Sequence, residues 1–281
     1  MGNRKDVHNL RRHLVLHLCH RLLPPGAKEV ISITTYLIVC PLLFLAGFVD
    51  SIAGGGGLIS LPAYLLAGLP IHSAIATNKF SSSFGTVIAV ARFIKSGMVS
   101  LRLALPAVIC GIVGSAAGAK LSMVISEKVL LAMLLVVLPV AAFCVLNKRL
   151  FRDHGNGSVS ITTHNIVVAS ICALLIGIYD GMYGPGTGTF LIIAFTVGAR
   201  LSIAQANANA KVINLSTNVA ALTVFLLHGQ VLITVGIAAA LSNMLGNYLG
   251  AGLVLTKGVK VVRPIIIVVL ALLLAKIIIG F

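Results

Sequence analysis

From residue 31 to residue 280 the chain is a succession of apolar runs, and the order of their lengths repeats. The runs cover about 31–52, a short 57–69, then 73–95, 101–124 and 127–147; after a polar stretch come about 161–181, a short 187–199, then 202–227, 230–255 and 261–280. An offset of 132 superposes Lys79 on Lys211, Gly97 on Gly229, Gly114 on Gly246 and Gly118 on Gly250. Chance gives one such match, whereas several in order point to a duplication. The longer runs suffice to cross the ~30 Å hydrocarbon core, while the short ones, about 12 residues at ~1.5 Å each, do not. The expected fold is an all-α polytopic membrane protein with two repeats of about five helical elements each. The short elements are expected to be broken or re-entrant helices beside glycine-rich breaks. Each repeat then contributes an odd number of crossings, so the second is expected to be inverted relative to the first. Inverted repeats with broken helices are the architecture of secondary transporters.

Charge fixes the boundaries. Residues 1–30 form a basic tail, 31–147 the first membrane repeat, 148–160 a polar linker and 161–281 the second repeat. Against 58% hydrophobic residues only 10% are charged, and six acids stand against 21 Lys or Arg. If crossings alternate, Arg92, Lys95, Arg102, Lys148, Arg149, Arg152, Arg200, Lys257, Lys260 and Arg263 gather on one face, expected to be cytoplasmic. The formal charge of +15 therefore speaks for membrane topology and against a nucleic-acid partner. In the tail, His13, His17 and His20 share a helical face. That spacing would allow a metal, but no carboxylate stands near, and a basic amphipathic segment on anionic lipid is the simpler reading. Five cysteines show no ligand spacing. Neither metal nor cofactor is expected.

Within the apolar runs two stretches break the pattern. Asp50 leads into Gly54, Gly55, Gly56 and Gly57, and Asp180 into Gly184, Gly186 and Gly188. Glycines at such breaks let backbone groups approach a ligand closely, and a half-helix beginning there presents free N–H groups that suit an anion. Each repeat also carries one lysine well inside an apolar run, Lys79 or Lys211. An ionisable residue at a helix centre costs ~2.5–3.5 kcal/mol on insertion scales, so each should face a cavity or a partner. Asn207, Lys211, Asn214 and Asn218 fall on one helical face; Lys79, Ser82 and Thr86, with Asn78 beside them, form the matching stripe. The candidate substrate-binding set is therefore Gly54–Gly57, Asn78, Lys79, Gly184, Gly186, Gly188, Asn207, Lys211, Asn214 and Asn218. Asp50 and Asp180 would repel an anion unless protonated or salt-bridged, which makes them candidates for proton coupling, gating or holding the lysines. Gly111, Gly114 and Gly118, mirrored by Gly246 and Gly250, have the spacing of close helix packing.

Gly47-Phe48-Val49-Asp50-Ser51 leading into Gly54–Gly57 and Leu58-Ile59-Ser60-Leu61-Pro62, followed by Ala76-Thr77-Asn78-Lys79, resembles the TauE/SafE sulfite exporter family, also called the toluene-sulfonate uptake permeases. Gly177-Ile178-Tyr179-Asp180-Gly181 through Gly188 is similar to that family's second half. The resemblance covers residues 31–281 and implies a bacterial inner-membrane permease, not an enzyme, for sulfite, organosulfonates or other small sulfur-containing anions. Its first glycine run is shorter than in many members, and Pro185 and Thr187 interrupt the second. Two alternatives use the same residues. A passive anion channel would not accumulate substrate against a gradient. An intramembrane aspartyl protease would pair two carboxylates, but Asp50 precedes its glycines and only Tyr179-Asp180 fits half of that motif.

Overall fold

The computed structural model describes residues 32–146 and 161–257. The expected tail with its histidines, the linker and the last apolar run, 261–280, lie outside the described residues. Those described are helical: α1 (Ile33–Ala53), α2 (Gly57–Leu66), α3 (Ile71–Lys95), α4 (Leu101–Val124), α5 (Glu127–Leu146), α6 (Thr163–Met182), α7 (Thr187–Val197), α8 (Ile203–Leu227) and α9 (Ile233–Lys257). These follow the apolar runs to within a few residues. Five of them, α1, α4, α6, α8 and α9, are long and apolar enough to span a membrane. α3 is equally long, but Lys79 and its run of Ser, Thr and Asn dilute its apolar character.

Local sequence sets the ends. Ser32 caps α1 in a reciprocal pair with Thr35, Thr162 does the same for α6 with Asn165, and Ser202 caps α8 through the N–H of Gln205. α2 and α7 are short, 10 and 11 residues. Each reaches only ~15–17 Å at the usual helical rise, about half of a bilayer core.

Helix packing has an internal correspondence. The principal pairings are α4 with α6, α9 with α1, α9 with α3, α4 with α8, and α3 with α8. Exchanging α1 for α6, α3 for α8 and α4 for α9 maps this set onto itself. Small residues make the tightest of these contacts: a Cβ on Gly118 would stand 1.9 Å from the carbonyl oxygen of Ile178, and one on Gly246 would stand 2.0 Å from that of Phe44. Polypeptide backbones can approach this closely only without side chains between them.

The two copies differ where one side compensates the other. Gly111 leaves room on α4 for Thr217 of α8, whose methyl would be 3.1 Å from a Cβ there. At the equivalent seam α9 carries Asn243 and α3 carries Gly85, and a Cβ on Gly85 would meet the Asn243 side chain at 1.8 Å. The large and small partners have changed places. Outward faces carry exposed Leu37, Leu105, Ile109, Leu175, Leu241 and Leu245, whereas Lys79, Asp180, Asn207, Asn209, Lys211 and Asn247 are buried. Polar groups inside and apolar groups outside are the distribution a bilayer imposes.

Candidate functional site

α1 stops at Gly54, whose φ of +73° is left-handed and which sits against the opposite break: a Cβ there would lie 2.3 Å from the carbonyl carbon of Gly188. The last carbonyls of α1 have no intrahelical donor, and the second repeat supplies them. Asn207 Nδ2 donates to the carbonyls of Ser51 and Ile52 at 3.3 and 3.4 Å, and Thr189 Oγ1 donates to that of Ala53 at 3.0 Å. The second break closes on itself. Thr187 Oγ1 donates to the Gly184 carbonyl at 2.7 Å, and the Tyr179 hydroxyl donates to the Pro185 carbonyl. α2 and α7 start beside these turns without side-chain caps: turn carbonyls accept the N–H groups of Leu58, Ile59 and Thr187, while those of Gly57 and Gly188, also in the first turns, have no intrahelical acceptor.

The lysines reach across the repeats. Lys79 Nζ on α3 lies 2.8 Å from Asp180 Oδ1 on α6, and Lys211 Nζ on α8 lies 2.7 Å from Asp50 Oδ2 on α1. Relative exposures are 1% for Lys79, 0% for Lys211, 1% for Asp180 and 8% for Asp50, so all four charges are withdrawn from solvent. Pairing in such surroundings offsets desolvation, and it does so only while both partners stay. The surroundings of the two pairs differ. Lys79 Nζ also donates to Asn218 Oδ1 at 3.1 Å, whereas Lys211 Nζ reaches no acceptor besides its carboxylate among the described residues. Asp50 Oδ1 accepts the Gly56 N–H at 3.4 Å, whereas Asp180 Oδ2 is buried without a partner among the described residues.

Between the breaks lies a small polar cavity of about 20 Å³, lined by Asp50, Gly54, Gly57, Asn78, Lys79, Ser82, Asp180, Gly184, Thr187, Gly188, Asn214 and Asn218. That is room for about one water. Of the residues singled out by sequence, Gly54, Gly57, Asn78, Lys79, Gly184, Gly188, Asn214, Asn218, Asp50 and Asp180 come together on this wall. Gly55, Gly56, Gly186, Asn207 and Lys211 stand behind it: Gly56 holds Asp50, Asn207 finishes α1, and Lys211 pairs with Asp50 from the far side. Thr187 and Ser82 join the wall, Ser82 donating to Asn78 Oδ1 at 3.3 Å. The capping role of Thr189 carries no sequence signal, because its partner is a carbonyl more than a hundred residues away. Asn243 and Asn247, four apart in an apolar run, were the missed signal for buried polar packing of α9 on α1: Asn243 Nδ2 donates to the Leu43 carbonyl at 3.1 Å. No cluster of metal-ligating side chains occurs among the described residues.

A helical bundle with an apolar exterior, interrupted helices meeting inside it and buried charges paired across its two halves has the build of a membrane transport protein. The chain matches the family described as Sulfite exporter TauE/SafE over residues 39–277, and it belongs to that family. Among curated relatives, it is 36% identical over 230 residues to the probable membrane transporter protein ORF9 of a Sinorhizobium species, covering 80% of this chain and 85% of that one. It is also 36% identical over 233 residues to the probable membrane transporter protein YfcA of Escherichia coli K12, covering 83% of this chain and 85% of that one. A probable membrane transporter protein of Haemophilus influenzae is 34% identical over 234 residues, covering 83% of this chain and 90% of that one. No solved structure matches significantly. The protein is thus a multi-pass protein of a bacterial membrane.

Proposed function

We propose that the protein is a secondary transporter of a small anion, with sulfite, an organosulfonate or a related sulfur oxyanion as the substrate class. The observation that carries this reading is the cavity at the meeting point of the two breaks. It brings a buried ammonium group, the amides of Asn78, Asn214 and Asn218, and the first turns of α2 and α7 to one place. N–H groups at a helix start and an ammonium group complement an oxyanion, and the amides can turn either end to it. The family description, a sulfite exporter, supports the choice of sulfur chemistry.

The exchange of packing pairs between the halves supports an inverted second repeat, and with it alternating access about a central site. A water-sized cavity also fits a transporter better than a channel, since an anion must wait for the halves to move before it can enter. The test is thermal stabilisation of the detergent-purified protein by sulfite, thiosulfate, sulfate, sulfoacetate, taurine and short carboxylates. A ligand at a hundredfold excess over its Kd stabilises the native state by ~2.7 kcal/mol. A shift with a sulfur oxyanion, absent in Lys79→Ala, is the expected result. Shifts with carboxylates alone would overturn the sulfur assignment, and none with any anion would overturn the anion reading.

A further inference from the structure

Resting on that reading, we infer that the two ion pairs do different work: Lys79–Asp180 is the pair the substrate opens, with Asp180 taking up one proton as the anion binds, while Lys211–Asp50 stays closed. The contrast lies in what each group keeps when its partner leaves. Lys79 stands on the cavity wall and retains Asn218 Oδ1 at 3.1 Å, so a substrate oxygen can replace Asp180 Oδ1 on the ammonium group. Lys211 lies behind the wall, fully buried, and would retain no acceptor among the described residues. A charge left alone in such a place is far costlier than one handed from a carboxylate to another anion.

The aspartates divide the same way. Both oxygens of Asp50 are engaged, one by Lys211 Nζ and one by the Gly56 N–H. Asp180 Oδ2 is buried at the cavity with no hydrogen-bond partner among the described residues, so it is the free position for a proton. The titratable groups around Asp180 are Lys79 from α3, Lys211 from α8, Asp50 from α1, and Tyr179 on its own helix. Two ammonium groups and two carboxylates make the resting site neutral. When a monoanion takes the place of Asp180 on Lys79, a proton from water adds to Asp180 Oδ2, and the site is neutral again. The anion would then be carried with one proton.

Calorimetric titration of the purified protein with methanesulfonate, a monoanion that does not titrate near neutral pH, tests this, with sulfite run in parallel. In the wild-type protein, affinity should fall about tenfold per pH unit as pH rises across neutrality, the linkage expected for one co-bound proton. In Asp180→Asn affinity should persist and lose this slope. Infrared difference spectra of the wild-type protein should show the carbonyl band of a protonated carboxylic acid appearing with methanesulfonate, a readout that does not depend on a variant folding. An unchanged slope in Asp180→Asn, or binding with no slope and no acid band in the wild-type protein, would overturn this inference and leave the anion reading standing. Binding of neither anion would overturn both.

Discussion

Lys211→Met should destabilise the protein by about 3–5 kcal/mol, and the double change Asp50→Asn with Lys211→Met should recover most of that loss. The single change leaves the Asp50 carboxylate with only the long Gly56 N–H bond at 3.4 Å, inside a bundle where that residue is 8% exposed. The double change leaves no charge behind, and the new amide oxygen can still accept from Gly56. Methionine fills much of the volume of the lysine stem, so little packing is lost. The midpoint of thermal unfolding in detergent, read beside the yield of monodisperse protein, decides the matter. A single variant as stable as the double would mean that the pair does not hold α1 to α8. A substrate-binding role alone, which is how the sequence places Lys211, would let it be removed without loss of the fold. Complete burial of its ammonium group against one carboxylate is the reason to expect otherwise.

The second large effect belongs to the glycine seam. Gly54→Ala places a Cβ 2.3 Å from the Gly188 carbonyl carbon and 2.6 Å from the Thr189 nitrogen, at a φ of +73°. Backbone atoms on both sides cannot swing away as a side chain would. Overpacking of this kind costs roughly 1–3 kcal/mol, and the left-handed conformation adds roughly 1–2 kcal/mol. Gly55→Ala is the control: its Cβ would meet nothing closer than Leu58 Cδ1 at 3.6 Å. Folded yield of Gly54→Ala should drop sharply while that of Gly55→Ala stays near the parent. Equal yields would show that the two breaks are not held in contact.

These contrasts mark what the sequence could and could not disclose. The helices were legible because a bilayer forces long apolar runs, and Asp50, Lys79, Asp180 and Lys211 stood out because charge is rare within such runs. A duplication was expected from the constant offset between matching lysines and glycines, and the principal packing pairs exchange in the same way. Which lysine meets which aspartate was not legible, since pairing within a repeat and pairing across repeats leave the same pattern in the chain. The role of Asn207 was hidden for a similar reason. Its place in a stripe with Lys211, Asn214 and Asn218 suggests a cavity wall, but a helix turns it toward Ser51 and Ile52 while Asn214 and Asn218 face the cavity. Periodicity gives a face, and only the packing says what the face touches.

The donors that finish α1 come from the other half of the molecule. Asn207 and Thr189 together satisfy the carbonyls of Ser51, Ile52 and Ala53. Were the halves to part along this seam, three carbonyls would lose their partners within the membrane, at about 1–3 kcal/mol for each buried group left unmade. Under the alternating access proposed above, rocking of one half against the other would therefore be easiest where it keeps this seam shut and opens the walls around it. In the proposed transport cycle the end of α1 would be the axle of that motion, with the doors elsewhere.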